Sequence, residues 1–233
     1  KTKITSLFPF LLTLVYLHAS GYQLAPLKSL VFFLGMFSFD LTATTINKYY
    51  DTKKGQERLP LPRPWAVAIL LFLLLLSTSL GLYLVYLTDL VVLFLGGLCF
   101  FFGIIYSFGP IPLSHGPYGE MISGLFYGLL IPAILFYLNL PTREFFSLTL
   151  TVPTLTFHLN LAVLARLFLL SVVPFCLTAN IMLANNLCDL DRDVAVNRYT
   201  LAFYLREKAL WLFAALYYLA YLSVVVMVIA GFL

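Results

Sequence analysis

Seven long, mostly apolar stretches follow one another along the chain, near residues 4–20, 27–49, 64–87, 90–108, 119–139, 166–188 and 208–231. Each is bounded by charge or by Pro and Gly. A helix needs about 20 apolar residues to cross a bilayer, so the pattern predicts an all-α, polytopic transmembrane bundle of about seven spans. Composition closes the soluble alternative. Hydrophobic residues make up 62% of the 233 and charged residues 10%, against about 45–50% and about 25% in soluble domains. A chain of this length cannot hide that much apolar surface from water. The same balance excludes a disordered chain and a basic nucleic-acid-binding domain. A membrane barrel would show period-2 alternation, and none is read here. The segment 140–165, rich in Thr, Leu and Phe and broken by Pro141 and Pro153, is expected at the membrane interface rather than across it.

The cysteines Cys99, Cys176 and Cys188 have no C-x-x-C spacing and cannot all pair. Cys99 and Cys176 are read as small buried hydrophobes. The basic residues set the orientation. With alternating spans, Lys1, Lys3, Lys48, Lys53, Lys54, Arg58, Arg63, Arg192, Arg198, Arg206 and Lys208 fall on one side of the membrane. Only Lys28, Arg143 and Arg166 fall on the other. That asymmetry predicts a cytoplasmic N-terminus and two cytoplasmic charged loops.

Those two loops also gather acids. Residues 48–63 and 189–208 carry nine of the 14 basic and six of the ten acidic residues, which anchoring alone does not require. The first reads INKYYDTKKGQE, with Asn47, Asp51 and Glu57; the second reads NNLCDLDRD, with Asn185, Asp189 and Asp193. Both contain Asn-x-x-x-Asp, and 138 residues separate Asp51 from Asp189 and likewise Asn47 from Asn185. Residues four apart share a helix face, so each set is expected to point one way from the same membrane face. Hard oxygen donors on facing helices suit Mg²⁺, which is held by a few carboxylates together with water and substrate phosphates. Lys53, Lys54, Arg58, Arg63 and Arg198 are candidates to neutralise the remaining phosphate charge. Either cluster alone reads equally as solvated loop charge; two matched clusters on one face point to a cation–diphosphate site. Asp40 lies 11 residues before Asp51 on nearly the same helix face, inside the apolar zone, where an acid is a functional candidate by default. Glu120, on the cytoplasmic side beside Tyr106 and His115, is a candidate to face the same pocket. His18 and His158 have no partner spacing.

Taken together, these residues resemble the UbiA-type intramembrane prenyltransferases, which carry an Asn/Asp-rich motif after the second helix and an Asp-x-x-x-Asp motif after the sixth. The run NNLCDLDRDVAVNRYTL, closing on Arg198, Thr200 and Leu201, is similar to the second motif. Within the family, INKYYDTKKG, the opening KTKITSLFPF and YSFGPIPLSHGPYGE (Tyr106 to Glu120) look like the 1,4-dihydroxy-2-naphthoate polyprenyltransferase branch. Lys48 stands where the branch often has an acid, and Glu57 replaces a more usual Asp.

The resemblance implies a single transmembrane prenyltransferase domain over residues 1–233. Nine spans are usual in the family, so two C-terminal helices are expected to be missing from a chain that opens on Lys1 and stops within an apolar run. It implies a central cavity open at the cytoplasmic face of the cell membrane. It further implies Mg²⁺-dependent transfer of a polyprenyl group from its diphosphate to a small aromatic acceptor, here 1,4-dihydroxy-2-naphthoate in menaquinone biosynthesis, with decarboxylation to demethylmenaquinone. Carried over onto the matching motifs, Asp51, Asp189 and Asp193 are expected to hold the metal, aided by Asn47, Asn185 and Glu57, and Lys53, Lys54, Arg63 and Arg198 to contact phosphate. From their own positions rather than the resemblance, Tyr106 and Glu120 are candidates to face the substrate, and Asp40 to orient the acceptor ring or take a hydroxyl proton. The alternatives are another aromatic acceptor such as 4-hydroxybenzoate, a CDP-alcohol phosphotransferase, and an ion-coupled transporter. A phosphotransferase would carry its acids in one compact motif. A transporter would place them at mid-membrane on broken helices, where only Asp40 fits.

Overall fold

The computed structural model describes residues 2–54, 61–107, 113–141, 145–151, 154–195 and 197–233. The helices fall where the apolar runs place them: α1 (Thr2–Ala19), α2 (Pro26–Lys54), α3 (Arg63–Tyr86), α4 (Leu90–Ser107), α5 (Gly119–Leu125) and α6 (Ile131–Asn139). A wide π turn (Phe126–Leu130) joins α5 to α6 in one continuous element. Then come α7 (Leu161–Cys188), α8 (Leu190–Ala195), α9 (Leu201–Leu205) and α10 (Ala209–Ile229). Five stretches are long and apolar enough to cross a membrane: Pro26–Ile46, Arg63–Tyr86, Gly119–Asn139, Leu161–Cys188 and Leu201–Ile229. The runs near 4–20 and 90–108 form shorter apolar helices, Thr5–Ala19 and Leu90–Tyr106.

The all-α expectation fails in one place. Strands β1 (Phe146–Thr151) and β2 (Thr154–Leu159) form an antiparallel hairpin inside the segment expected at the interface. Its register pairs Leu148 with Phe157 and Leu150 with Leu155, and Thr149 with Thr156 and Thr151 with Thr154. In these four pairs apolar positions oppose apolar ones and hydroxyl positions hydroxyl ones, while Ser147 opposes His158. This is local period-2 alternation of β-favouring residues, hidden inside a run whose overall composition resembles the spans around it.

Burial sorts the helices. Half of the Gly119–Asn139 span is buried, against 11% of α3 and 17% of the Leu201–Ile229 span, so α5–α6 runs through the centre and α3 and α10 lie outside. Outer positions carry large apolar side chains, among them Trp65 and Trp211, at 67% and 80% exposed. Such a surface suits lipid, not water. The interior has no room to spare where α5 meets α7. A Cβ on Gly128 would stand 2.3 Å from Phe175 N, and one on Gly124 would stand 3.0 Å from Phe175 O. Only glycine permits that approach, the small-xxx-small packing of membrane helices. Three hydroxyls of α2 are satisfied within their own helix. Thr42, Thr44 and Thr45 donate to the carbonyls of Ser38, Asp40 and Leu41, one turn back, so α2 carries hydroxyls through an apolar zone without unpaired donors.

Two buried contacts fix which ends lie together. Asn139, at the end of α6, accepts at Oδ1 from Ala25 N (2.7 Å) and Ser29 Oγ (3.2 Å). The start of α2 is thereby pinned to the end of α6. Glu120, at the start of α5, accepts from Asn186 near the end of α7. The C-terminal ends of α2 and α7 therefore lie at the same end of the bundle, the one where α5 begins.

Candidate active site

α5 and the π turn place Glu120, Ser123 and Tyr127 along one stripe, at helical spacings of three and four. Polar side chains within an apolar span need partners, and each of these finds one on a different helix. Glu120 Oε1 accepts from Asn186 Nδ2 of α7 at 2.8 Å. Ser123 Oγ donates to Tyr106 OH of α4 at 3.1 Å. Tyr127 OH donates to Asp40 Oδ1 of α2 at 3.0 Å. The stripe is a polar ladder reaching from the acidic helix ends into the bilayer zone. Two acceptors on it are left over: Asp40 Oδ2 and Glu120 Oε2 are buried with no hydrogen-bond partner.

Beside the ladder lies a cavity of about 200 Å³ between α2, α3, α4 and the α5–π element. It runs from Val31, Leu84 and Val92 at one end to Asp40, Thr44 and Tyr106 at the other. Val92 and Tyr106 lie on one helix, so this length is about 20 Å at 1.5 Å per residue. Gly35, Gly81, Gly96 and Gly103 line it, and their missing side chains leave much of the space. A Cβ on Gly103 would come 2.5 Å from Phe39 Cε1. The lining is mostly apolar, with Ser77 on α3 and the ladder end its polar parts, and Asp40 is its only charged side chain among the described residues.

The second constellation closes the ladder's outer end. Helical bonding continues past Cys188, from Asp189 N to Asn185 O (3.0 Å) and from Asp193 N to Asp189 O (2.9 Å). The helix is interrupted at Asp189 (φ −100°), between α7 and α8, and the surroundings of Asn185, Asp189 and Asp193 differ. Asp189 is exposed and Asn185 half-buried. Asp193 is buried, 3.6 Å from Arg198 Nη1. The chain turns through Asn197 in the left-handed region (φ 58°), which asparagine tolerates. That turn returns Arg198 to the Ser114 carbonyl, to which its Nε donates at 3.0 Å, and Tyr199 N to the His115 carbonyl, also at 3.0 Å. The segment 113–118 is thereby clasped to the acidic helix end, with one Arg198 edge fixed and its charge held at the site.

Of the remaining expected site residues, Arg63 is exposed at the first position of α3. Positions 47 and 51 continue, at helical spacing, the stripe of α2 that carries Asp40 and Thr44. The side chains of Asn47, Asp51, Lys53 and Lys54 lie outside the described residues, as do Glu57 and Arg58 entirely. Among the described residues no three His, Cys, Asp or Glu side chains converge, and Asp51 and Glu57 do not count among them. The donor chemistry nevertheless fits a hard divalent cation. It consists of carboxylate and amide oxygens, with the Asp189 side chain exposed and Glu120 Oε2 buried without a partner. Sequence reasoning missed Asn186, Ser123 and Tyr127. The signal was the 120/123/127 spacing in an otherwise apolar run.

The sequence profile of the UbiA prenyltransferase family matches residues 6–233. The 1,4-dihydroxy-2-naphthoate octaprenyltransferase of Bacillus subtilis (strain 168) is 30% identical over 130 residues, a region that covers 55% of this chain and 35% of that protein. No solved structure matches. With the profile running along nearly the entire chain, over a helical bundle whose two acid-bearing helices end at one end of it, the protein belongs to the UbiA prenyltransferase family.

Proposed function

We propose that the protein transfers a polyprenyl group from its diphosphate to an aromatic acceptor, with 1,4-dihydroxy-2-naphthoate the acceptor. The observation that carries this reading is the placement of both Asn-x-x-x-Asp helix ends at one end of the bundle, next to an apolar cavity. The named activity of the Bacillus subtilis relative and the 106–120 run support the choice of acceptor.

Chemically, the bond from prenyl C1 to diphosphate oxygen breaks, diphosphate leaves, and a ring carbon bonds C1. The displaced ring substituent, a proton or the carboxyl as CO₂, then departs. Asp51, Asp189 and Asp193, with Asn47, Asn185 and Glu57, hold Mg²⁺. When bound, the cation supplies positive charge against the leaving diphosphate. Arg198, held by Asp193 and the Ser114 carbonyl, presents a fixed guanidinium to phosphate without reorganising. Lys53, Lys54 and Arg63 add further positive charge. The apolar cavity takes the proximal prenyl units and keeps water from the allylic carbon. The charged loops face the cytoplasm, as the basic-residue asymmetry requires.

The test is an assay of membranes containing the protein with labelled polyprenyl diphosphate and either 1,4-dihydroxy-2-naphthoate or 4-hydroxybenzoate, with and without EDTA. The reading expects prenylated product with the naphthoate and its loss on chelation. Product with the benzoate alone reassigns the acceptor, and diphosphate-independent activity removes the reading.

A further inference from the structure

The cavity holds an acid that nothing in the bundle fully uses. Asp40 is only 9% exposed and lines the cavity. Its Oδ1 is occupied by the Tyr127 hydroxyl, and its Oδ2 has no hydrogen-bond partner. The Ser6 hydroxyl on α1 faces the same carboxylate, yet its Oγ is also left without a partner. A buried acceptor of this kind is costly unless something completes it. A prenyl chain has no donor and leaves it orphaned. A carboxylate has no donor either and would be repelled. Nor does the cavity lining offer a Lys or Arg to receive an acid. A hydroxyl fits, because it donates and accepts.

We propose that Asp40, held by Tyr127, binds the ring hydroxyl of the aromatic acceptor and so fixes which way the ring enters, hydroxyl toward Asp40. This rests on the aromatic-acceptor reading above and adds to it the element that selects the acceptor. The aromatic floor suits a ring. Phe39 and Phe100 pack 4.3 Å apart between centroids beside Asp40, and Gly103 leaves the place that the Phe39 ring occupies. The π turn puts Tyr127 in register with Asp40; such turns often mark functional positions in helices. Asp40 is about 16 Å along α2 from Asp51 at helical rise. It therefore stands apart from the cation-binding end, and its work is recognition.

The test uses the full chain purified in detergent and equilibrium dialysis of two labelled probes, 4-hydroxy-2-naphthoate and its 4-methoxy ether. No turnover is needed. The wild type binds the hydroxyl probe roughly 10- to 100-fold more tightly than the ether, the range expected for one buried hydrogen bond. Asp40→Asn keeps an acceptor for Tyr127 but puts an N–H₂ donor where Oδ2 was. Both probes can accept from it, so the ratio collapses to within about twofold. Tyr127→Phe lowers the ratio several-fold. Gly97→Ala, away from the cavity, leaves it unchanged. A ratio preserved in Asp40→Asn, with only the melting temperature lowered, makes Asp40 a structural strut and overturns the proposal. Equal binding of the two probes by the wild type overturns it as well. Failure of the broader reading is separate: it is the absence of prenylated product in the membrane assay, whichever probe binds.

Discussion

Asn186 Nδ2 donates to Glu120 Oε1 across 2.8 Å, and both side chains are almost fully buried. This bond ties the second acidic helix end to the central helix and so sets where Asn185 and Asp189 stand. Glu120→Ala leaves the Asn186 amide buried without an acceptor, which costs about 1–3 kcal/mol. Glu120→Gln keeps a carbonyl for it. Thermal unfolding in detergent should show a clear loss for the alanine variant and a small one for glutamine. Equal losses would mean that the bond does not hold the helix end.

Asp189 and Asp193 should separate chemistry from structure. The Asp189 side chain is exposed. Asp189→Ala is therefore expected to lower prenyl transfer by about 100-fold or more, on the scale of losing one charge-stabilising group, with no change in melting temperature. Asp193 is buried beside Arg198. Asp193→Ala should lose activity to a similar degree and also about 1–2 kcal/mol of stability, since Arg198 loses its carboxylate partner.

The helix contacts were less legible than the helices. Runs of apolar residues are enough to place α1–α4, the α5–α6 element, α7 and α10, because a bilayer demands length and little else. The hairpin at 146–159 escaped because Leu and Thr alternate there within a composition that still averages as a broken span. Asn186 escaped because one step along a helix turns a side chain by 100°, so the Asn185–Asn186 pair divides between two faces and spacing alone favours the first. Tyr127 escaped because a tyrosine within an apolar run reads first as lipid contact or an interface anchor. The paired Asn-x-x-x-Asp motifs and Asp40 were legible, since charge within or beside an apolar run is itself the signal.

Gly128 should be the least replaceable glycine. A Cβ there would meet the Phe175 backbone at 2.3 Å, and backbone cannot swing aside. Gly128→Ala is expected to cost about 1–3 kcal/mol or more. Gly97, with nothing within 4 Å of its Cβ position, should tolerate alanine or gain about 0.5–1 kcal/mol. Parallel unfolding curves of the two variants check the pair.

Cys188 reports orientation. It is exposed at the end of α7, whereas Cys176 is buried within a span and Cys99 half-buried within the shorter apolar helix α4. A membrane-impermeant maleimide should label Cys188 in inside-out vesicles and not in right-side-out ones. The reverse pattern would place the acidic helix ends on the outer face.

The most direct measurement is the binding of a non-hydrolysable polyprenyl thiodiphosphate with Mg²⁺ to the wild type, Asp51→Ala, Asp189→Ala and the double variant. If both helix ends hold one cation–diphosphate centre, either single change removes most of the binding and the second adds little, a coupling of about 1 kcal/mol or more. Losses that simply add, within about 0.5 kcal/mol, would contradict a shared centre.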